Sequence, residues 1–435
     1  MRPRDRGRKP RVQGAGILLP FLRLLWPPAK HHTPTMLALI RSIPAAALVL
    51  PFCASAQFTV YTSTNSDLTS DFVTGLAPDT NGVWVATTEG LNHFDGLTWN
   101  NWTTGNSNLA ADIVTDLAVD NDGNLWSWNY DQGCSVFDGT TFQQFTGADG
   151  LSDNSGSNVM VLNNTVYAGT YSGLSTFEGA SWSTINTGSS DLPNDDVRDC
   201  DIDGSGGLWV PTFGGGIAYF DGAWTVYNTG NSDLPYDEVL VARVHPNGHV
   251  WIGTRNGLVD KNGDEFVVYT TDNSILEDND IRNIEFGNEG EVVICTRYGG
   301  VYTIGTDGTW ASYTTLNSNL PSDETWESLV DDNGNLWLAT SMGLATIAGW
   351  SSSTTVAQAA SFPEAQVSIH NGRLQVSIPE GSAHVRLFDD LGRNVWNSAG
   401  PVTGVQQDMS ALATGVYHVA LWNDRGQRVW KVRME

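Results

Sequence analysis

The sequence predicts an all-β protein: a seven-bladed β-propeller followed by a small Ig-like β-sandwich. Three observations carry this expectation. A two-part aromatic motif recurs seven times with a period of forty-odd residues. The composition favours short strands and tight turns, with 46 Gly, abundant Asn, Thr and Ser, and only 16% charged residues. After Trp350 a small polar linker leads into a segment of different, alternating periodicity.

The N-terminus stands apart. Residues 1–35 are rich in Arg and Pro and read as a non-native upstream extension, with Met36 the true start. A signal peptide is expected over 36–56. It has one basic residue at Arg41, an apolar run through Leu50, and Ala54-Ser55-Ala56 before Gln57, so cleavage is expected between Ala56 and Gln57. The apolar run is too short to span a bilayer permanently, and no other segment reads as membrane-spanning. Cys53 follows Pro51 and Phe52 rather than small residues, which argues against a lipid-anchored cysteine.

The propeller is expected over 57–350. Its first motif reads aromatic, two small or apolar residues, often Thr, two variable residues, then Gly. Copies begin at Trp84, Trp126, Tyr167, Trp209, Trp251, Val293 and Trp337, spaced 41 to 44 residues apart. The second begins at Phe58, Trp99, Phe142, Trp182, Trp224, Phe266 and Trp310 and runs into a Thr/Asn/Gly/Ser-rich turn ending in Leu. Each period divides into four strands. Residues 114–120 alternate as one strand, Asn121-Asp122-Gly123-Asn124 turns, a second strand starts at Leu125-Trp126, a third covers about 133–137, and a fourth is Phe142 to Phe145. The large aromatics suit the seams between neighbouring sheets. Gln57–Tyr61 is a lone fourth strand and the unit near Val330 to Trp350 has only three, so the N-terminal strand is expected to complete the last sheet and leave no open edge.

Segments such as Val250-Trp251-Ile252-Gly253-Thr254-Arg255-Asn256-Gly257-Leu258 and Tyr227-Asn228-Thr229-Gly230-Asn231-Ser232-Asp233-Leu234-Pro235 resemble two-component regulator propeller repeats. That family forms extracellular sensor propellers of hybrid histidine kinases in Bacteroidetes, which respond to glycans. The resemblance covers about 57–350 and implies a surface binding role. In those kinases a membrane helix and a kinase follow the propeller; here a linker of 351–363 and a strand-rich segment follow.

That segment, 364–435, alternates apolar and polar residues at Gln366–Ile369, Arg373–Ile378, His384–Phe388, Val416–Leu421 and Arg428–Val432. Six or seven strands in so short a span fit an Ig-like sandwich. The run Val385-Arg386-Leu387-Phe388-Asp389-Asp390-Leu391-Gly392-Arg393, then Asp408 to Thr414-Gly415-Val416-Tyr417, then Arg428 with Lys431-Val432, resembles the C-terminal sorting domain of the type IX secretion system. The resemblance implies the export machinery as a partner and a location outside the outer membrane or attached to the cell surface. The family's usual Tyr-Pro-Asn-Pro-like opening is replaced by Ile369-His370-Asn371-Gly372.

Charge and chemistry narrow the function. The net charge is −26, and residues 57–350 hold forty Asp/Glu against six Lys/Arg. So acidic a domain excludes nucleic acid and anionic lipid surfaces as partners. Cys134, Cys200 and Cys295 lie in three different repeats and read as buried core thiols. Asp120–Gly123, Asp201–Gly204 and Asp331–Gly334 lack the further ligands of a calcium loop and read as hairpin turns. No metal or cofactor is expected. His93, His245 and His249 have no catalytic companions. Enzyme activity is therefore not expected, although lyases using His and Glu occur on seven-bladed propellers.

The two variable residues before each repeat Gly share one face by propeller geometry, near the central channel. They are Thr88-Glu89, Tyr130-Asp131 (with Gln132), Tyr171-Ser172, Phe213-Gly214, Arg255-Asn256, Arg297-Tyr298 and Ser341-Met342. The candidate ligand-binding residues are Glu89, Tyr130, Asp131, Tyr171, Phe213, Arg255, Asn256, Arg297 and Tyr298. Aromatic faces and guanidinium forks suit a sugar's ring and its hydroxyl or carboxylate groups. The expectation is a secreted or cell-surface, monomeric binding protein for a glycan or other extracellular ligand, with lipopolysaccharide among the candidates. The alternatives are an accessory part of the surface export machinery, and a polysaccharide lyase or hydrolase.

Overall fold

The computed structural model describes residues 58–350 except Asn81 and Ala180, and 365–434 except 371–372, 379–381, 390–393, 399 and 424–425. All of these lie in one compact unit, Phe52–Glu435. The upstream extension, the signal peptide with its Ala56–Gln57 cleavage, Cys53 and the linker of 351–363 lie outside the described residues.

Residues 59–347 form seven four-stranded antiparallel sheets in chain order. The first is Val73–Asp79, Gly82–Thr87, Gly90–Phe94 and Trp99–Trp102. The innermost strands of the next six are Val114–Val119, Gly156–Leu162, Asp201–Ile202, Val239–Val244, Ile281–Phe286 and Thr325–Val330. The seventh sheet takes its outer strand from the start of the domain, where Thr59–Tyr61 pairs antiparallel with Leu344–Thr346. Phe58 anchors that junction. Its N–H donates to Asn319 Oδ1 at 2.7 Å, its carbonyl accepts from Asn319 Nδ2 at 2.8 Å, and its buried ring meets Tyr313 edge-on at 5.7 Å. The innermost strand of the seventh sheet also touches that of the first.

The repeat residues hold this arrangement together for identifiable reasons. The aromatics meet across seams: Trp102 with Phe137 at 5.3 Å, Phe145 with Phe177 at 5.3 Å, Tyr227 with Phe266 at 5.7 Å, and Tyr269 with Trp310 at 5.2 Å. The motif Thr and Gly form a clasp. Thr254 Oγ1 donates to Gly257 O at 2.9 Å, and Gly257 has φ +133° with Tyr269 O only 2.8 Å from where a Cβ would sit. No other residue fits there without strain. The loops between sheets have their own clasp. Thr229 donates through N–H and Oγ1 to both oxygens of Asp237, and the same geometry recurs at Thr104/Asp112, Thr187/Asp195 and Thr315/Asp323.

The Asp-rich turns are hairpin clasps. Asp120 accepts from the N–H groups of Asp122 and Asn124 and from Trp126 Nε1, and Asp331 accepts from Asn333, Asn335 and Trp337 in the same way. At the third turn the acceptor is Asp203 rather than Asp201. Cys134, Cys200 and Cys295 are free and buried, and burial pushes all three thiols up.

The fourth sheet is irregular, and Pro211 supplies the reason. Its carbonyl accepts from Arg198 N–H, so its missing N–H faces the innermost strand too. The ladder there shrinks to Asp201–Ile202, with an isolated bridge at Val197.

The C-terminal segment forms two antiparallel sheets. One is Gln366–His370, Arg373–Ser377 and Gly404–Asp408; the other is Asn394–Asn397, His384–Asp389, Gly415–Asn423 and Gly426–Met434. Leu374, Val376, Val385, Leu387, Met409, Tyr417, Val419 and Leu421 make one shared core. Tyr417 OH donates to Ala413 O at 2.8 Å.

Candidate functional site at the channel mouth

Each regular innermost strand begins with a β-bulge. The register shifts between Val73 and Gly75, Val114 and Asp116, Gly156 and Asn158, Val239 and Val241, Ile281 and Asn283, and Thr325 and Glu327. A bulge leaves one residue unpaired and re-aims its side chain. The six extra residues are Thr74, Thr115, Ser157, Leu240, Arg282 and Trp326; Arg198 takes the same place in the irregular fourth sheet. All seven line one cavity of about 590 Å3. Thr88, Tyr130 and Tyr171 from the second-to-third-strand turns join them.

The turns reach this mouth by docking their backbone on the residues just ahead of the innermost strands. Phe213 N–H donates to Asp196 O, Arg255 N–H to Glu238 O, and Arg297 N–H to Asp280 O. Those three carboxylates then meet the arginines. Arg198 pairs with Asp196 at 2.7 Å, Arg255 with Glu238 at 3.3 Å, and Arg282 with Asp280 at 2.9 Å. The guanidiniums also lie over aromatic faces: Arg198 over Phe213 at 4.5 Å and Tyr171 at 5.1 Å, Arg255 over Phe213 at 5.3 Å, Arg282 over Trp326 at 5.3 Å, and Arg297 over Tyr298 at 4.9 Å. Stacking and ion pairing hold the forks in fixed planes.

Of the residues expected from sequence, Tyr130 and Tyr171 line the cavity, while Phe213, Arg255, Arg297 and Tyr298 are tied to it through these contacts. Tyr130, Tyr171 and Tyr298 are 52%, 46% and 61% exposed, open to a ligand. Phe213, Arg255, Arg297 and Tyr298 are not themselves part of the cavity lining, and neither are Glu89, Asp131 and Asn256. Asp131 has φ 55° and accepts from Ser155 Oγ at 2.9 Å, and the Glu89 and Asn256 N–H groups donate to the motif hydroxyls of Thr87 and Thr254. In these turns the Asp131 carboxylate is engaged by Ser155, whereas at Glu89 and Asn256 it is the backbone N–H that is engaged. Sequence reasoning missed Arg198, Arg282 and Trp326. A signal for them existed: Arg198, Leu240, Arg282 and Trp326 recur on the 42–44-residue period.

Below the mouth, acidic and amide side chains rivet neighbouring sheets. Asp116 accepts from Val159 N–H at 2.8 Å, Asp199 from Ala242 at 3.1 Å, Asn283 from Ser328 at 3.2 Å, and Glu327 from Leu76 at 2.9 Å. Burial pushes Asp116 up to about 7 and Asp199 up to about 6, and raises Glu327 well above the usual carboxylate range. Arg243 pairs with Asp199. Among the described residues no group of three or more His, Cys, Asp or Glu side chains could hold a metal ion, and no helix is long and apolar enough to cross a membrane.

No family model matches the chain, and no curated protein matches it. Solved structures do. The extracellular domain of a putative hybrid two-component system from B. thetaiotaomicron is 18% identical with a TM-score of 0.62, covering 87% of this chain and 57% of that one. PorZ, a surface component of the type-IX secretion system of Porphyromonas gingivalis, is 16% identical with a TM-score of 0.53, covering 84% and 59%. Virginiamycin B lyase from Staphylococcus aureus is 12% identical with a TM-score of 0.53, covering 67% and 98%. The chain thus spans less than two thirds of the length of the first two. At these identities the likeness is one of fold, and that fold is a β-propeller.

Proposed function

We propose that this chain is a secreted or surface-attached binding protein, a seven-bladed β-propeller that recognises a glycan or other extracellular ligand at its channel mouth. The carrying observation is the mouth itself, where Arg198, Arg255, Arg282 and Arg297 stack on Tyr171, Phe213, Trp326 and Tyr298 beside a cavity of about 590 Å3. Exposed aromatic faces and fixed guanidinium forks fit a ligand that offers ring faces and oxygen acceptors. Residues 364–435 act as an Ig-like sorting domain that hands the chain to the type IX export machinery, after signal-peptide removal at Ala56–Gln57. The protein works as a monomer, without a cofactor. The likeness to the extracellular domain of a putative hybrid two-component system and to a surface component of the type-IX secretion system supports this reading.

Binding is favoured over catalysis by where the histidines lie. His93 contacts Asp79 at 2.8 Å, His249 contacts Asp260 at 2.7 Å and His245 contacts Gly290 O at 3.0 Å; none of the three lines the cavity. The decisive experiment is calorimetry of the purified chain against a panel of polysaccharides and lipopolysaccharide, with a Tyr298→Ala/Trp326→Ala variant alongside. Saturable binding that the variant loses, without turnover, supports the reading. Absence of binding to every member, or turnover of any of them, overturns it.

A further inference from the structure

The channel mouth is not evenly made. The wall from the first three sheets offers hydroxyls, at Thr74, Thr115 and Ser157. The side from the fourth to sixth sheets offers arginines, on a domain that holds only six Lys/Arg among forty Asp/Glu. At the sixth sheet the cations outnumber their partners. One oxygen of Asp280, Oδ2, is shared by three guanidiniums: Arg282 Nη2 at 2.9 Å, Arg297 Nη1 at 3.6 Å and Arg255 Nε at 3.7 Å. Glu238 takes one further contact from Arg255 at 3.3 Å. Three positive groups therefore face two negative ones.

The packing leaves polar atoms over on both sides. Arg282 Nε and Arg297 Nε are buried without a hydrogen-bond partner, and so is Asp280 Oδ1, while the guanidiniums still outnumber the carboxylates. Burial also lowers the Arg282 pKa, and repulsion from Arg297 and Arg255 works in the same direction against Asp280. A buried donor left unmade is costly, and clustered like charges add to it. The like-charge cost is relieved by an oxyanion arriving from solvent at the Arg255 and Arg297 guanidiniums, which are 37% and 35% exposed, and the exposed side of the Tyr298 ring that Arg297 does not cover adjoins them.

We infer that the Arg255/Arg282/Arg297 cluster around Asp280 is a preformed oxyanion seat, and that the ligand is an acidic saccharide. Its carboxylate or sulfate group sits on the arginines while its hydroxylated body extends toward the Thr74/Thr115/Ser157 wall. This rests on reading the mouth as the ligand site. A carboxylate matches the guanidinium fork in two parallel hydrogen bonds, and a sulfate offers the same pair of oxygens.

The test is calorimetry of the full chain with two acidic saccharides, oligogalacturonate and chondroitin sulfate, and with their carboxyl-reduced and desulfated counterparts. Wild type is measured at 50 and 300 mM salt beside Arg297→Gln, Arg282→Gln and Tyr298→Ala. Arg297, the more exposed of the two arginines, keeps the test usable should the Arg282 variant melt early. Expected are binding of at least one acidic member, at least tenfold weaker binding of its neutral counterpart, tenfold or greater loss in Arg297→Gln, and weakening at high salt. The acidic member with the higher affinity identifies the oxyanion. If neutral saccharides bind as well as acidic ones and only Tyr298→Ala weakens them, the oxyanion seat is overturned while the mouth remains the ligand site. If no saccharide binds, both readings fall.

Discussion

Asp120 and Asp331 are each the hub of a four-residue turn, and their side chains bind both the turn backbone and the indole N–H of the strand that follows. A single carboxylate thus fixes a hairpin and orients the seam tryptophan. Asp120→Ala is expected to cost about 1–3 kcal/mol, because Trp126 Nε1 and two backbone donors lose their acceptor together; urea unfolding reads this directly. Gly257→Ala meets a different obstacle, since its positive φ and the nearby Tyr269 carbonyl both exclude a Cβ. It should destabilise by more than about 1 kcal/mol in the same assay. At this scale the candidate site was only half legible. Arg255, Arg297 and Tyr298 sit in turns, where the repeat's fixed frame marks the variable positions. Arg198, Arg282 and Trp326 occupy bulges or a broken strand, and an extra residue interrupts the alternation on which strand reading depends.

The elements were legible because each repeat carries its own signals: aromatics at the seams, Gly at the second-to-third-strand turn, and Asn, Asp or Gly at the first hairpin. The lone N-terminal strand was readable by counting, since one unit lacked a strand and another stood alone. The irregular fourth sheet was not foreseen, although Pro211 inside a motif copy was a visible warning. Because Phe58 is buried against Tyr313 and bonded twice to Asn319, Phe58→Ala should cost about 3–5 kcal/mol. Deleting 57–63 should lower the melting temperature further still, and a melt unchanged by that deletion would show that the outer strand of the seventh sheet is dispensable. Lys261 is a second test of element packing. Its ammonium lies 5.2, 4.8 and 5.4 Å from the ring centres of Trp209, Tyr227 and Phe266, at the seam of the fourth and fifth sheets. Lys261→Met keeps the stem's packing and should be milder than Lys261→Ala.

For the molecule as a whole, stability should depend on pH in two opposite ways. Asp116, Asp199 and Glu327 have folded-state values above the ordinary carboxylate value of about 4. The folded state therefore holds protons there that the unfolded chain releases. Their contribution is complete below about pH 4 and is lost as pH rises through 6 and 7. Asp203 behaves oppositely: against the effect of burial, hydrogen bonds from Ser205, Tyr219 and Gly207 hold it down to about 2, so its contribution is lost as pH falls from about 4 toward 2. Calorimetric melts should show a higher midpoint near pH 5 than at pH 8, and Asp116→Asn should flatten that difference. An equal or higher midpoint at pH 8 would contradict the protonated channel.

The strand that closes the circle has a kinetic consequence. Phe58 bonds to a residue 261 positions later, so the final sheet draws on both the first-made and the last-made parts of the domain. Contacts this remote in sequence form late and slowly. Until they form, the last sheet carries an unpaired edge along Gly343–Ile347, open to any passing strand; once Thr59–Tyr61 is seated, that edge is covered.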